Sequence, residues 1–190
     1  MGFTGKSPAG TAVAFGTLIG VLLVLLFLSV PRADAARGVT TDQRGDAIRG
    51  FDIVRVVTLN GAKKLAVKVV YRGKLKPGYT PGLGVSANID LDMGAPADSV
   101  YDNDFAVGAS FGVPGRRNIF YFMKGYRMAR CPGLGGHIAV RRGIIRIVVP
   151  QRCFGRQSGR VRVAGYTYAN KGVGPSADYM ESWGPWIAKG

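Results

Sequence analysis

Beyond residue 36 the chain alternates. From Lys64 to Tyr71, Leu65, Val67, Val69 and Tyr71 take every second place, and Lys64, Ala66, Lys68 and Val70 fill the rest. A period of two marks a strand with one face on a core and one in water. Phe51–Thr58 is rich in β-branched and aromatic residues, and Asn60-Gly61 between the two runs is a strong hairpin signal. Further strands are predicted at Val85–Leu91, Phe105–Phe111, the aromatic Asn118–Met123, His137–Arg141, Ile144–Val149 and Arg160–Tyr168. Glycine- and proline-bearing loops separate them at Gly73–Gly84, Gly112–Arg117 and Asn170–Pro175. No helical stripe of useful length interrupts them. About eight short strands in this arrangement predict an all-β fold, a single antiparallel β-sandwich over 36–190.

The first residues follow another pattern. Residues 7–31 carry no charge, Thr11–Val30 is almost wholly apolar, Lys6 precedes the run and Ala33-Asp34-Ala35 follows it. This is the layout of a secretory signal peptide, residues 1–35, cut after Ala35. A run of about 20 apolar residues also suits an uncleaved membrane anchor with the domain outside. The expected location is extracellular in either case, with membrane contact only in the second.

Export changes the reading of Cys131 and Cys153, which become a disulfide rather than two reactive thiols. Each lies eleven residues from Arg142 in the turn Arg142-Gly143. Antiparallel pairing about that turn places them opposite each other, although Pro132-Gly133-Leu134-Gly135-Gly136 adds length on one side.

The net charge is +15, from 26 basic and 11 acidic residues; without Lys6, Arg32 and Asp34 it is +14, from 24 and 10. Such a surface attracts anionic polymers: wall polyanions, acidic glycans, anionic lipid or nucleic acid. No motif points to a specific nucleic acid. The densest basic stretch is Arg141–Arg162. Arg142 and Arg146 share one face of the predicted hairpin, and Arg160 and Arg162 one face of a strand that continues to Tyr166 and Tyr168. Guanidinium forks suit phosphate and carboxylate, and exposed rings stack on sugars. These six residues are the candidate ligand-binding set. The competing account is a solvated sheet face whose arginine content reflects codon usage. Trp183 and Trp186 in the tail are expected to plug an open end of the sandwich.

Ten of the 11 acidic residues are Asp, and eight of those fall at 42, 46 and 52 and at 90, 92, 98, 102 and 104. Calcium takes six to eight oxygens in loose geometry, which short Asp side chains on loops supply. Asp42, Asp46 and Asp52, with Asp90, Asp92 and Asp102 as partners, are therefore the candidate calcium ligands. Asp is equally a good turn residue, and neither cluster has EF-hand spacing.

The arrangement Asp42-x-x-Gly45-Asp46, then Asp52-Ile53 leading into alternating strands, carries a resemblance, to which the tail Trp183-Gly184-Pro185-Trp186 adds. The chain resembles small exported β-sandwich proteins of uncharacterised function from high-GC Gram-positive bacteria. More distantly it resembles secreted carbohydrate-binding and DOMON-type sandwich modules. The second resemblance covers only the first thirty or so residues of the domain. It implies a sandwich, calcium in some members, and sugar binding on aromatics. This chain departs from those modules in being far more basic.

Catalysis has little support. His137 is the only histidine, Glu181 the only glutamate, and no Gly-x-Ser-x-Gly elbow exists. The expected function is that of a secreted non-catalytic binding or structural protein contacting an anionic or carbohydrate component of the cell envelope, with no cofactor besides calcium. The alternative is an exported hydrolase using Asp residues of the acidic loops.

Overall fold

The computed structural model describes residues 2, 35–47, 50–75, 83–91, 103–112, 118–157, 159–169, 178–180 and 182–190, with the backbone alone for 83–86, 156–157 and 168–169. The chain divides into two units, Met1–Ala33 and Asp34–Gly190. The expected leader lies outside the described residues except for Gly2 and Ala35. Among the described residues no helix is long and apolar enough to cross a membrane.

Strand β2 (Ile53–Asn60) and β3 (Lys64–Tyr71) form the expected hairpin, with Leu65, Val67, Val69 and Tyr71 buried. The turn is not built as an Asn-Gly pair predicts. Asn60 is the last buried position of β2, and the loop is Gly61–Lys63, closed by the Gly61 amide on the Lys64 carbonyl at 3.0 Å. Asn60 is instead a polar hub. Its Nδ2 donates to the carbonyls of Gly159 and Ile187, and its Oδ1 accepts from Gln151 Nε2 at 2.7 Å.

Strand β1 (Ala36–Thr41), which sequence pattern did not predict, pairs along the whole of β2. With β8 (Gly135–Ala139) and β9 (Ile144–Pro150) these make a five-stranded antiparallel sheet in the order β1-β2-β3-β9-β8. The second sheet has six strands, β11-β10-β4-β5-β6-β7. Its members are β4 (Leu83–Leu91), β5 (Phe105–Phe111), β6 (Ile119–Lys124), β7 (Arg127–Met128), β10 (Val161–Ala169) and β11 (Asp178–Tyr179). The fold is thus the expected antiparallel sandwich, with eleven strands among the described residues where about eight were predicted. The excess is β1 and the two-residue β7 and β11, too short to show a period.

The inner faces pack Ile53, Leu65, Val67, Ile145 and Ile147 against Ile89, Leu91, Phe105, Val107 and Val163. Phe105, Phe122 and Phe154 form an aromatic triad with centroids 5.2–5.8 Å apart. Phe154 lies in the 3-10 segment Gln151–Gln157, beside Cys153. The Cys131–Cys153 bond is formed, with Cα atoms 5.4 Å apart. The register Ala139↔Ile144 through Gly135↔Val148 would set Cys131 against residue 152, so the symmetry about Arg142 holds only to within one residue. Both cysteines lie beyond the paired strands, where the chain is free to take up the offset. Gly143 closes the β8–β9 turn at φ 60°, against the Gly73 and Tyr71 carbonyls, where any side chain would collide.

After β11 the tail continues along the side of β10 away from β4. The Gly184 amide bonds to Val163 O, Ile187 and Val161 exchange two bonds, and the Gly190 amide reaches Asn60 O on β2. Met180 and Ile187 are its buried residues. Trp183 and Trp186 are half-buried rather than core plugs.

Two outcomes follow. Replacing both cysteines (Cys131→Ala/Cys153→Ala) is expected to lower the unfolding free energy by about 3 kcal/mol in urea titrations, because the closed loop no longer restricts the unfolded chain. Asn60→Leu leaves buried carbonyls and Gln151 without partners and should cost about 1–3 kcal/mol in the same assay.

Candidate functional site

Alternation forces whatever is not in the core of the five-stranded sheet onto its outer face. Cross-strand register lines up Val39, Val57, Lys68, Arg146 and His137 in one row over five strands. Directly opposed residues stand about 5 Å apart, so Lys68, Arg146 and His137 are consecutive neighbours within about 10 Å. Arg142, in the β8–β9 turn, joins them around a cleft of about 380 Å³. Val57, Leu59, Ala66 and Ile144 pave its floor. Arg37, Arg55 and Lys64 occupy other outward positions of the same sheet. Among the described residues, no acidic side chain stands at an outward position of these five strands.

The arginines expected to bind ligand therefore separate. Arg142 and Arg146 share the cleft. Arg160 just precedes β10 of the other sheet, and Arg162 belongs to that strand, where it is engaged. Its Nε donates to Asp90 Oδ2 at 2.8 Å, and its guanidinium lies 4.8 Å from the ring centroids of both Trp183 and Trp186. Its side chain is 13% exposed, so it is an internal clamp on the tail rather than an accessible anion ligand. Arg160 lies 5.6 Å from the Trp186 ring. Tyr166 stacks on Tyr179 with centroids 5.9 Å apart. Tyr168 contributes only its backbone to the described structure. Lys68 and His137 were not among the expected ligands. The hairpin centred near Arg142 was the signal that would have placed His137 beside Arg146, whereas Lys68 stands there only through the long-range β3–β9 pairing, which no local pattern marks.

The aspartates also regroup. Asp42, just after β1, and Asp46 in the loop to β2 meet Asp178 of β11, with one carboxylate oxygen from each within 4.8 Å of the others. Asp178 accepts a very short bond from the Ile53 amide, so it reaches from the edge of one sheet to the start of a strand in the other. Asp52 is fully buried: its Oδ2 accepts from the Gly45 amide at 2.9 Å and pairs with Arg72 Nε at 2.6 Å. Arg72 Nη2 also donates to Ala47 O. Gly45 and Gly50 turn the loop at φ 95° and 96°, a conformation open to glycine. Asp90 does not join this group; burial raises its pKa most, nearby Asp104 raises it further, and the Arg162 bond opposes both. Asp92 and Asp102 lie outside the described residues. Asp178 stands alone in the sequence, 74 residues after the nearest other aspartate, and no local pattern marks it.

Burial first, then the like charge of Asp178, lifts Asp42 from its ordinary value to about 6. Burial first, then Asp46 and Asp52, lifts Asp178 to about 6, against the opposing bond from Ile53.

No known protein family matches this chain, and no curated protein matches it significantly. Its fold defines it as a disulfide-bonded antiparallel β-sandwich.

The raised carboxyl values set a direction for pH. Between the unfolded value of 3.8 and the folded value of about 6, the native state holds protons that the unfolded chain has lost. Stability therefore falls as pH rises through that window. In buffer free of divalent cations, the melting temperature should drop between pH 4.5 and 7, and Asp178→Asn should flatten the slope. A melting temperature that rises over this range in the native chain would contradict the arrangement.

Proposed function

We propose that this is an exported, non-catalytic binding protein whose ligand is an anionic polymer of the cell envelope, held on the outer face of the five-stranded sheet. The observation that carries the reading is the cleft with Lys68, His137, Arg142 and Arg146 around an apolar floor. The charges of Lys68, Arg142 and Arg146 around an apolar floor suit a chain that alternates charge with hydrocarbon, such as a glycan bearing phosphate or carboxylate groups. Among the described residues these five strands carry no acidic side chain to oppose the cations, which supports a dedicated anion-binding face. Among the described residues the lining offers no carboxylate, hydroxyl or thiol to act beside His137, so this cleft is equipped for binding, and the hydrolase alternative rests on the acidic loops instead. The leader pattern in residues 1–35 and the Cys131–Cys153 bond support export.

The test compares two pairs of equal charge. Lys68→Ala/Arg146→Ala removes two of the three lysine and arginine side chains around the cleft, whereas Lys124→Ala/Arg127→Ala removes the same charge from exposed positions on β6 and β7. Binding to heparin and to a wall polyanion is titrated at several salt concentrations. The first pair should weaken binding tenfold or more and reduce the slope of log affinity against log salt by roughly two, because two counterion-releasing contacts are lost. The second should change affinity less than about threefold, by screening alone. Equal losses from both pairs would mean that attraction is a property of net charge, with no dedicated face.

A further inference from the structure

Four aspartates gather at one end of a strongly basic molecule, and none of them belongs to the cleft. We propose that Asp42, Asp46 and Asp178, bordered by the buried carboxylate of Asp52, bind one divalent cation, calcium by its donor chemistry, which ties the β1–β2 loop to β11. The first observation is spacing. The three carboxylate oxygens lie within 4.8 Å of one another. Oxygens around a calcium ion at 2.3–2.6 Å lie at most about 5 Å apart, so one ion reaches all three. The donors are all oxygen, which selects a hard cation over zinc or copper.

The second observation is independent of that spacing. Asp52 is 0% exposed, and its Oδ1 has no hydrogen-bond partner. It borders the group without being one of the three clustered ligands, and its charge bears on both Asp42 and Asp178. Its Oδ2 is held by the amide of Gly45, next to Asp46, and the amide of Ile53, next to Asp52 itself, is held by Asp178. Asp42 Oδ2 is also buried without a partner. A buried carboxylate oxygen without a donor is costly, and a cation satisfies it where no N–H reaches. Arg72 is the one cation paired with this group among the described residues, against four carboxylates. The competing outcome is that protons alone neutralise Asp42 and Asp178.

The structural consequence is specific. Asp42, Asp46 and Asp52 flank β1 and β2 in one sheet, whereas Asp178 belongs to β11 at the edge of the other. An ion here joins the two sheets at the end where β11 makes only two residue pairs with β10.

The experiment measures thermal unfolding of the full-length protein at pH 7 in chelator, then in millimolar calcium, magnesium or manganese, with calorimetric titration of calcium alone. Calcium should raise the melting temperature by about 5–10 °C at a hundredfold excess over its dissociation constant, and bind with a stoichiometry of one. Asp46 is exposed, so Asp46→Asn should fold normally, and it should weaken calcium at least tenfold. Asp178→Asn should abolish the calcium shift while leaving the metal-free protein at least as stable as the native chain, since a crowded charge has gone. If none of the three cations shifts the native protein, protons suffice and the proposal is overturned. It is overturned equally if Asp46→Asn and Asp178→Asn keep the native calcium shift, which would place the ion elsewhere. Polyanion binding reads the other sheet face separately, so either result leaves the cleft proposal to its own test.

Discussion

Each strand of the five-stranded sheet has one residue in every two to give to the core, and the other must go to water. Packing and surface chemistry are therefore coupled through register. Leu65, Val67 and Val69 face inward, so Lys64, Ala66 and Lys68 cannot. Ile145 and Ile147 face inward, so Arg146 stands outward beside Lys68, and the β8–β9 register then brings His137 to its other side. A slip of one residue in β9 would bury Arg146 and expose two isoleucines. The row of Lys68, Arg146 and His137 is as well determined as the core beneath it.

The two sheets are joined by more than apolar contact. Thr167 donates to Tyr71 OH across the interface, and burial pushes the Tyr71 hydroxyl pKa up. Asp178 accepts from the Ile53 amide, and Asn60 gathers the ends of the tail and of the Gln151 segment. These bonds lie at or near the ends of β2, whose middle is sealed by Val56 and Thr58. Polar groups this deep are tolerated because they have partners, and they fix how one sheet sits on the other. The tail is held by different means: backbone bonds to β10, Ile187 set against Gly38, and Arg162 between two indoles. An arginine stacked on aromatics and paired with a carboxylate works as a structural fastener, which is why its presence on a basic strand did not make it a surface ligand.

What the sequence determined by itself was local. Period two located β2, β3, β9 and β10, and glycine and proline located the breaks, because a strand's two faces are written in adjacent residues. The Cys131–Cys153 pairing was legible because a hairpin is a local object. Strand β1 was not legible: Arg37-Gly38-Val39-Thr40-Thr41 has no inward apolar series, since its inner side is filled by Ile187 from the far end of the chain. The roles of Asn60, Arg162 and the aspartates were decided by tertiary structure alone. Asp178 lies more than 130 residues from Asp42 and Asp46, and only the pairing of β11 with β10 at the sandwich edge brings it to them. Asp90 was drawn away by Arg162, a neighbour that exists only through the β4–β10 register. Residue type told which chemistry was available; the long-range pairing of strands chose which residues would share it.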